Sequence, residues 1–265
     1  PGRRVALREH FRCVEPIISF CSKLFYSEPL IPLRIPLASE RLDPPLIDIL
    51  LNNGVKRYDQ NEKEAEVIVE EIAKITSEPK LANRSIGVIS LIGQKQAEQI
   101  SRKVLEEIGI EAYERHHILC GDARFFQGQE RDIVFLSMVA SAGDARAQTT
   151  KGDRQRFNVA ISRARDRLVL VRSVKASDLK NSEDLKLKLI EHFEKPVEVV
   201  RSDIDQIKLC ESQFERKVFQ RLIDSGYRTT PQYEAGYYRI DLVVEGHDDR
   251  RLAIELDGDS FHGPE

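Results

Sequence analysis

"GDARFFQGQERDIVFLSMV", residues 121–139, sets a polar corner directly against an apolar run: two glutamines around Gly128, then Glu130, Arg131 and Asp132. The run that follows, DIVFLSMV (132–139), is apolar almost throughout instead of at alternate positions. Such runs suit strands buried on both faces, as the central strands of parallel sheets are. Why a polar corner should stand just before a buried strand is the question that orders the rest of the chain.

The neighbours of the run give it a frame. SIGVISL (85–91) is short and β-branched, and the segment after it, QKQAEQISRKVLEEIG, places Ala97, Ile100, Val104, Leu105 and Ile108 in a helical stripe that Gly109 ends. Upstream, EKEAEVIVEEIAKI (62–75) sets Ala65, Ile68, Val69, Ile72 and Ile75 on one face and its glutamates and lysines on the other. Downstream come a Gly/Ala/Thr-rich loop (141–152), a helix over 153–166 and a strand over 167–174. Strands alternating with helices argue for an α/β domain with a mostly parallel sheet covered on both faces. A polar loop and a short closing helix (175–196) complete it. The pattern then restarts with a helical segment at 205–226, in which Ile207, Phe214, Val218, Leu222 and Ile223 are expected to face inward. Two strand-like runs, 227–246 and 250–260, are joined by GHDDR. The expected domains are therefore 1–196 and 197–265.

The whole chain sets limits. Its 265 residues suit one large domain or two smaller ones at roughly 150 residues each. Lys and Arg number 41 against 44 Asp and Glu, a net charge of -3, so any nucleic-acid contact must be local. Cys13, Cys21, Cys120 and Cys210 form no metal-ligand spacing and read as reduced thiols. No stretch approaches a membrane span and the N-terminus lacks a signal-peptide core, so a cytoplasmic location without a membrane partner is expected. The only methionine is Met138. The chain is therefore expected to be an excised piece of a longer protein.

Three segments carry polar groups that propensity does not explain: LREHFRC with Arg12, FFQGQERD with Gln127, Gly128 and Glu130, and RFNVAISRAR with Arg156, Arg163 and Arg165, expected around one helix. Each alone reads as a solvated helix end, a plain turn or a basic surface. In this order they resemble motifs IV, V and VI of the C-terminal RecA-like motor domain of superfamily I helicases of the Upf-like group. The matching stretches are LREHFRCVEPIISFCSKLFY, DARFFQGQERDIVFLS and RFNVAISRAR, and the resemblance spans roughly residues 5 to 195. It implies a RecA-like three-layer fold and ATP with Mg²⁺ as cofactors. It also implies γ-phosphate contacts from Arg12 and Arg163, for which the planar guanidinium fork is suited. Glu130 would contact the nucleotide ribose, Gly128 would let backbone approach, and Asp122 and Gln127 would line the nucleic-acid side.

No G-x-x-x-x-G-K-[ST] phosphate loop occurs, so only one wall of an ATP cleft is expected. The other would lie in an N-terminal motor domain of the same protein, and the piece alone should not hydrolyse ATP. Where relatives carry an aromatic and a proline after the strand, this chain has VISLIGQKQ, with Gln94 at the matching place. Arg34, Lys95, Arg115, His116, His117 and Arg124 are further candidates for phosphate contact.

The second half carries Glu215, Asp241, Glu255, Asp257 and His262. Residues 255 and 257 share a strand face, and Asp241 would meet them across a hairpin. Converging carboxylates call for a hard cation such as Mg²⁺, which would polarise a phosphodiester and activate water. The stretch resembles the PD-(D/E)xK nucleases, specifically the very-short-patch-repair-like domains appended to bacterial helicases. Asp257 stands where that family usually has lysine. The leading expectation is an ATP-dependent DNA, or RNA, helicase piece fused to a partial nuclease-like domain. The alternatives are a non-catalytic nucleic-acid or partner-binding scaffold and a metal-dependent nuclease.

Overall fold

The computed structural model describes residues 8–34, 36, 40–143, 146–195, 206–235, 238–245 and 250–256. They divide into two compact units, one drawn from 1–34 and 42–197, the other from 35–41 and 198–265. The first unit runs β1 (Glu9–His10), α1 (Glu15–Phe25), β2 (Ile31–Pro32), β3 (Leu46–Leu50), β4 (Lys56–Arg57), β5 (Gln60–Asn61) and α2 (Glu62–Ser77). It continues through β6 (Ile86–Ser90), α3 (Lys95–Arg115), β7 (Leu119–Asp122), β8 (Arg131–Ser141), α4 (Lys151–Ile161), β9 (Ala164–Ser173) and α5 (Leu185–Glu194). Its five-stranded sheet has the order β3-β9-β8-β6-β7 and every pairing in it is parallel. The expected RecA-like α/β arrangement is what the chain forms.

Each central strand serves two cores because successive side chains point to opposite faces. Ile133, Phe135, Val169 and Val171 pack with Ala65, Ile68, Ile72, Ile100 and Val104 from α2 and α3. Val134, Leu136, Leu168 and Leu170 pack with Ile17, Phe20, Phe157, Leu189 and Phe193 from α1, α4 and α5. Both faces are covered, which is why the run at 132–139 has no polar alternation.

One member of the polar face of α2 departs from expectation. Glu64 is fully buried. Its Oε2 accepts hydrogen bonds from Ser137 Oγ and the Val139 backbone N–H, both at 2.8 Å, and its Oε1 from Ser173 Oγ and Asn61 Nδ2, both at 3.1 Å. The carboxyl ties α2 to the carboxyl ends of β8 and β9, at a register shift in β8 where Val139 has φ 53°. Burial pushes its pKa up to about 7 despite those donors.

Other boundaries moved for local reasons. The helical run of α3 breaks at Gly109 (φ 75°, ψ 168°), as expected, but resumes to Arg115. The expected helix over 153–166 stops at Ile161, because Arg131 pairs with Ala164 and draws that stretch into β9. Arg163 and Arg165 therefore do not share a helix with Arg156. The stretch LIDIL (46–50), unassigned from sequence, is the edge strand β3.

The second unit sets α6 (Gln213–Asp224) with β10 (Arg228–Ala235), β11 (Tyr238–Glu245) and β12 (Arg251–Ile254), a three-stranded antiparallel sheet. The long run at 227–246 is thus a hairpin, not one strand. Phe219 fills the core with Cys210 and Leu242, whereas Phe214, expected inside, is 55% exposed. Among the described residues no helix is long and apolar enough to cross a membrane, and all four cysteines are free.

Glu64 keeps its proton in the fold to about pH 7, whereas the unfolded chain releases it near 4.5. Folding therefore takes up a proton between those values, so this stabilisation is full below about pH 4.5 and is lost as pH rises through about 7. Denaturant midpoints measured across that window should fall for the unaltered chain relative to Glu64→Gln. A constant difference between the two proteins would refute the assignment.

Candidate functional site

The polar corner is a crossover. Residues 123–130 leave the carboxyl end of β7 and return to the amino end of β8, and these two strands flank β6. Phe126 crosses the face of β6 at Gly87, where a Cβ would lie 2.9 Å from its ring. Phe125 lies against Gly121 in the same way, at 2.5 Å. Asp122 caps the turn: its Oδ1 accepts from the backbone N–H groups of Arg124 (3.0 Å) and Phe125 (2.9 Å), its Oδ2 from Arg124 Nε. Burial pushes the Asp122 carboxyl up, but those donors outweigh it and hold its pKa below the ordinary value. Gly128 sits at φ 84°, and no atom lies within 4 Å of where its Cβ would be. Within this chain the glycine is required by the left-handed turn and not by a close neighbour.

At the amino edge the crossover delivers Glu130 to the arginines. Arg12 Nε donates to Glu130 Oε2 at 2.7 Å and its Nη1 to the Ser162 carbonyl at 3.2 Å. Arg163 donates to the carbonyls of Val159 and Gln129. Its pKa is lowered, first by burial and then by the Arg12 cation. Arg165 lies 3.9 Å from Glu130 and 3.6 Å from Asp132. A cleft of about 410 Å³ opens here, lined by Glu9, His10, Phe11, Arg12, Glu130 and Arg165. Arg12 and Glu130 are thus brought together and Arg163 stands beside them, outside the lining. Phe11, 66% exposed beside Arg12 in that cleft, was not singled out from sequence, where an apolar residue carries no mark of exposure.

At the carboxyl edge a second cleft, about 570 Å³, is lined by Asp122, Arg124, Gln127, Gln155 and Arg156 among others. It joins the two nucleic-acid candidates from the crossover to the helix carrying Arg156. Of the other candidates, Arg34 forms a bidentate pair with Asp166 at 2.7 and 2.9 Å, and His116 is buried with Nδ1 2.8 Å from the Arg84 carbonyl. Both are structural. Lys95, Arg115, His117 and Arg124 are exposed.

In the second unit the β11–β12 ladder ends where Leu242 pairs with Ile254, so Asp241 and Glu255 are the next residues beyond its last pair. Asp241 Oδ2 accepts from the Leu256 N–H at 2.8 Å, pinning the end of that ladder. Asp257 and His262 lie outside the described residues, and among the described residues no three His, Cys, Asp or Glu side chains gather as a metal site. Glu215 is a helix cap: it accepts from the N–H groups of Glu211 and Ser212 and from Gln232 Nε2. Burial raises its pKa, and those donors more than reverse it.

Comparison with known proteins follows this division. A family model described as AAA domain matches residues 1–175, and one described as REase_MTES_1575, a restriction-endonuclease type, matches residues 214–265. Among solved structures, the C-terminal domain of a possible DNA helicase from Lactobacillus plantarum WCFS1 is similar, at 16% identity and a TM-score of 0.38. The match covers 62% of this chain and 87% of that one. No curated protein matches.

The crossover makes Gly87 a position where even one methyl is felt. Gly87→Ala should lower stability by about 1–3 kcal/mol through overpacking against Phe126, and Gly87→Ala combined with Phe126→Leu should recover part of it. Thermal melts of the two variants decide; an unchanged midpoint for the single variant would disprove the packing account.

Proposed function

The chain belongs to the AAA domain family, matched over well more than half its length, and from that premise we propose that its first unit supplies the arginine side of an ATP cleft in a helicase. The observation that carries this is the convergence of Arg12, Glu130 and Arg165 on one open cleft, with Arg163 beside it. Two guanidiniums suit triphosphate oxygens, a carboxylate suits ribose hydroxyls, and the exposed Phe11 ring offers a face for a base. ATP and Mg²⁺ bound there would bring the phosphoryl group to be transferred. Arg12 and Arg163 would neutralise its developing charge, and Glu130 would exchange its pairing with Arg12 for the ribose. The facing wall is assigned to a phosphate-loop motor domain N-terminal to this unit in the same protein. Gln127 and Asp122 are assigned to the track for single-stranded or duplex nucleic acid, DNA before RNA.

In the protein that joins both motor domains, Arg12→Ala or Arg163→Ala should each lower kcat for ATP by about a thousandfold, with KM little changed. A kcat equal to that of the unaltered protein in either variant would remove that arginine from the proposal.

The second unit carries a reading of its own. The placement of Asp241 and Glu255 just beyond the last pair of the β11–β12 ladder favours a nuclease-like module in which these two, with Asp257, hold Mg²⁺. The ion would polarise a phosphodiester there. The Asp241 carboxylate fits this role, with its Oδ2 oriented by the Leu256 N–H. Asp241→Asn keeps the acceptor for that N–H while removing charge. It should reduce Mg²⁺-dependent cleavage by at least about a hundredfold without shifting the melting temperature; undiminished cleavage would eliminate the reading.

A further inference from the structure

The strands β4 and β5 form a hairpin in which Lys56 pairs with Asn61 and Arg57 with Gln60, so Tyr58 and Asp59 alone make the connection. Tyr58 has φ 55°. A left-handed first residue in a two-residue hairpin connection favours glycine, and a bulky side chain there is strained. The ring is nevertheless 91% exposed, so packing does not repay that strain.

The base of the hairpin is fixed. Asn61 Nδ2 donates to Ser173 Oγ at 2.9 Å, and the Asn61 N–H and carbonyl both bond the Gln96 side chain at 2.9 Å. Gly54 passes so close to Ser173 that a Cβ would overlap its hydroxyl. At the tip, Asp59 lies against Gly93 in the loop after β6. Ser90 at the end of β6 is in register with Asp122, so the hairpin tip, the Gly93 loop and the Asp122 turn follow one another along the carboxyl edge of the sheet. That turn exposes a second aromatic ring, Phe125, 53% exposed, beside the exposed Arg124. Arg57 and Lys95 are exposed near the hairpin. Two exposed aromatic residues, each with an exposed cation next to it in sequence, match what a single strand needs: stacking for bases and positive charge for phosphates.

We propose that Tyr58 is a stacking platform for a base of single-stranded nucleic acid that runs along this edge toward Phe125. This rests on the reading of the first unit as part of a nucleic-acid motor, and it names a contact outside the motifs that suggested that reading. Base–aromatic stacking is tolerant of sequence, so the contact grips without selecting bases.

The test uses this 265-residue chain and fluorescence anisotropy with a labelled thymidine oligonucleotide of about 12 nucleotides. Tyr58→Ala should weaken binding about tenfold, and Tyr58→Phe should retain it. Tyr58→Gly separates ring from turn: it relaxes the backbone, so thermal stability should hold or rise while binding falls as in the alanine variant. Arg57→Ala should reduce the slope of log affinity against log salt by about 0.7. Binding by Tyr58→Ala or Tyr58→Gly equal to that of the unaltered chain would overturn the proposal and leave the motor reading standing. Failure of the unaltered chain to bind single strands at all would overturn both.

Discussion

Eight residues, 123–130, carry the chain from the carboxyl end of the edge strand β7 to the amino end of the central strand β8, and the rest of the first unit is arranged around how short that link is. A connection between parallel strands usually takes a dozen or more residues and a helix. Here the chain passes directly across β6, so the strand beneath must yield: Gly87 opens room for the Phe126 ring. The turn that starts the passage is held by Asp122, and the turn that ends it needs Gly128 in a left-handed conformation.

The ends are the two candidate sites. Asp122 and Gln127 line the cleft at the carboxyl edge, while Glu130, three residues beyond Gln127, meets Arg12 at the amino edge. A helix of ordinary length between β7 and β8 would have separated them by packing that could absorb displacement. This crossover instead ties the pairing of Glu130 to the position of the Asp122 turn. In the proposed motor, coupling between nucleotide and nucleic acid would then run through this short covalent link and not through a chain of side-chain contacts.

The layers of the fold were legible because periodicity reports burial: continuous apolar runs gave β8 and β9, and helical stripes gave α2 and α3. What periodicity does not report is pairing. The stretch SRAR reads as helix, yet Ala164 is taken by β8, so Arg163 falls in a turn and Arg165 on a strand. Glu64 reads as one of several solvent-facing glutamates; besides its neighbour Asn61, its partners are the β8 bulge and Ser173, which are distant in sequence. The arginine corner was legible as a set of motifs, but the direct Arg12–Glu130 contact joins residues 118 positions apart and belongs to the tertiary structure alone. In the second unit Glu215 looked like one carboxylate among four, and its capping partners show it committed to the helix start.

Strain along the carboxyl edge separates structural from displayed residues. Val139 and Tyr58 both have positive φ without being glycine. For Val139 the conformation has a visible support: its N–H is held by Glu64 and its side chain is buried, so the surrounding contacts determine it. Tyr58 has a fixed hairpin base beneath it, and its ring points away from that base into solvent. The hairpin's own pairing would form with glycine at that position at least as well. A bulky residue held in such a conformation by a rigid base, with its side chain unsupported, is explained by what the side chain meets outside the fold. The same buried polar network thus has two consequences: through Glu64 it fixes the bulge that ends β8, and through Asn61 it fixes the base from which Tyr58 is presented.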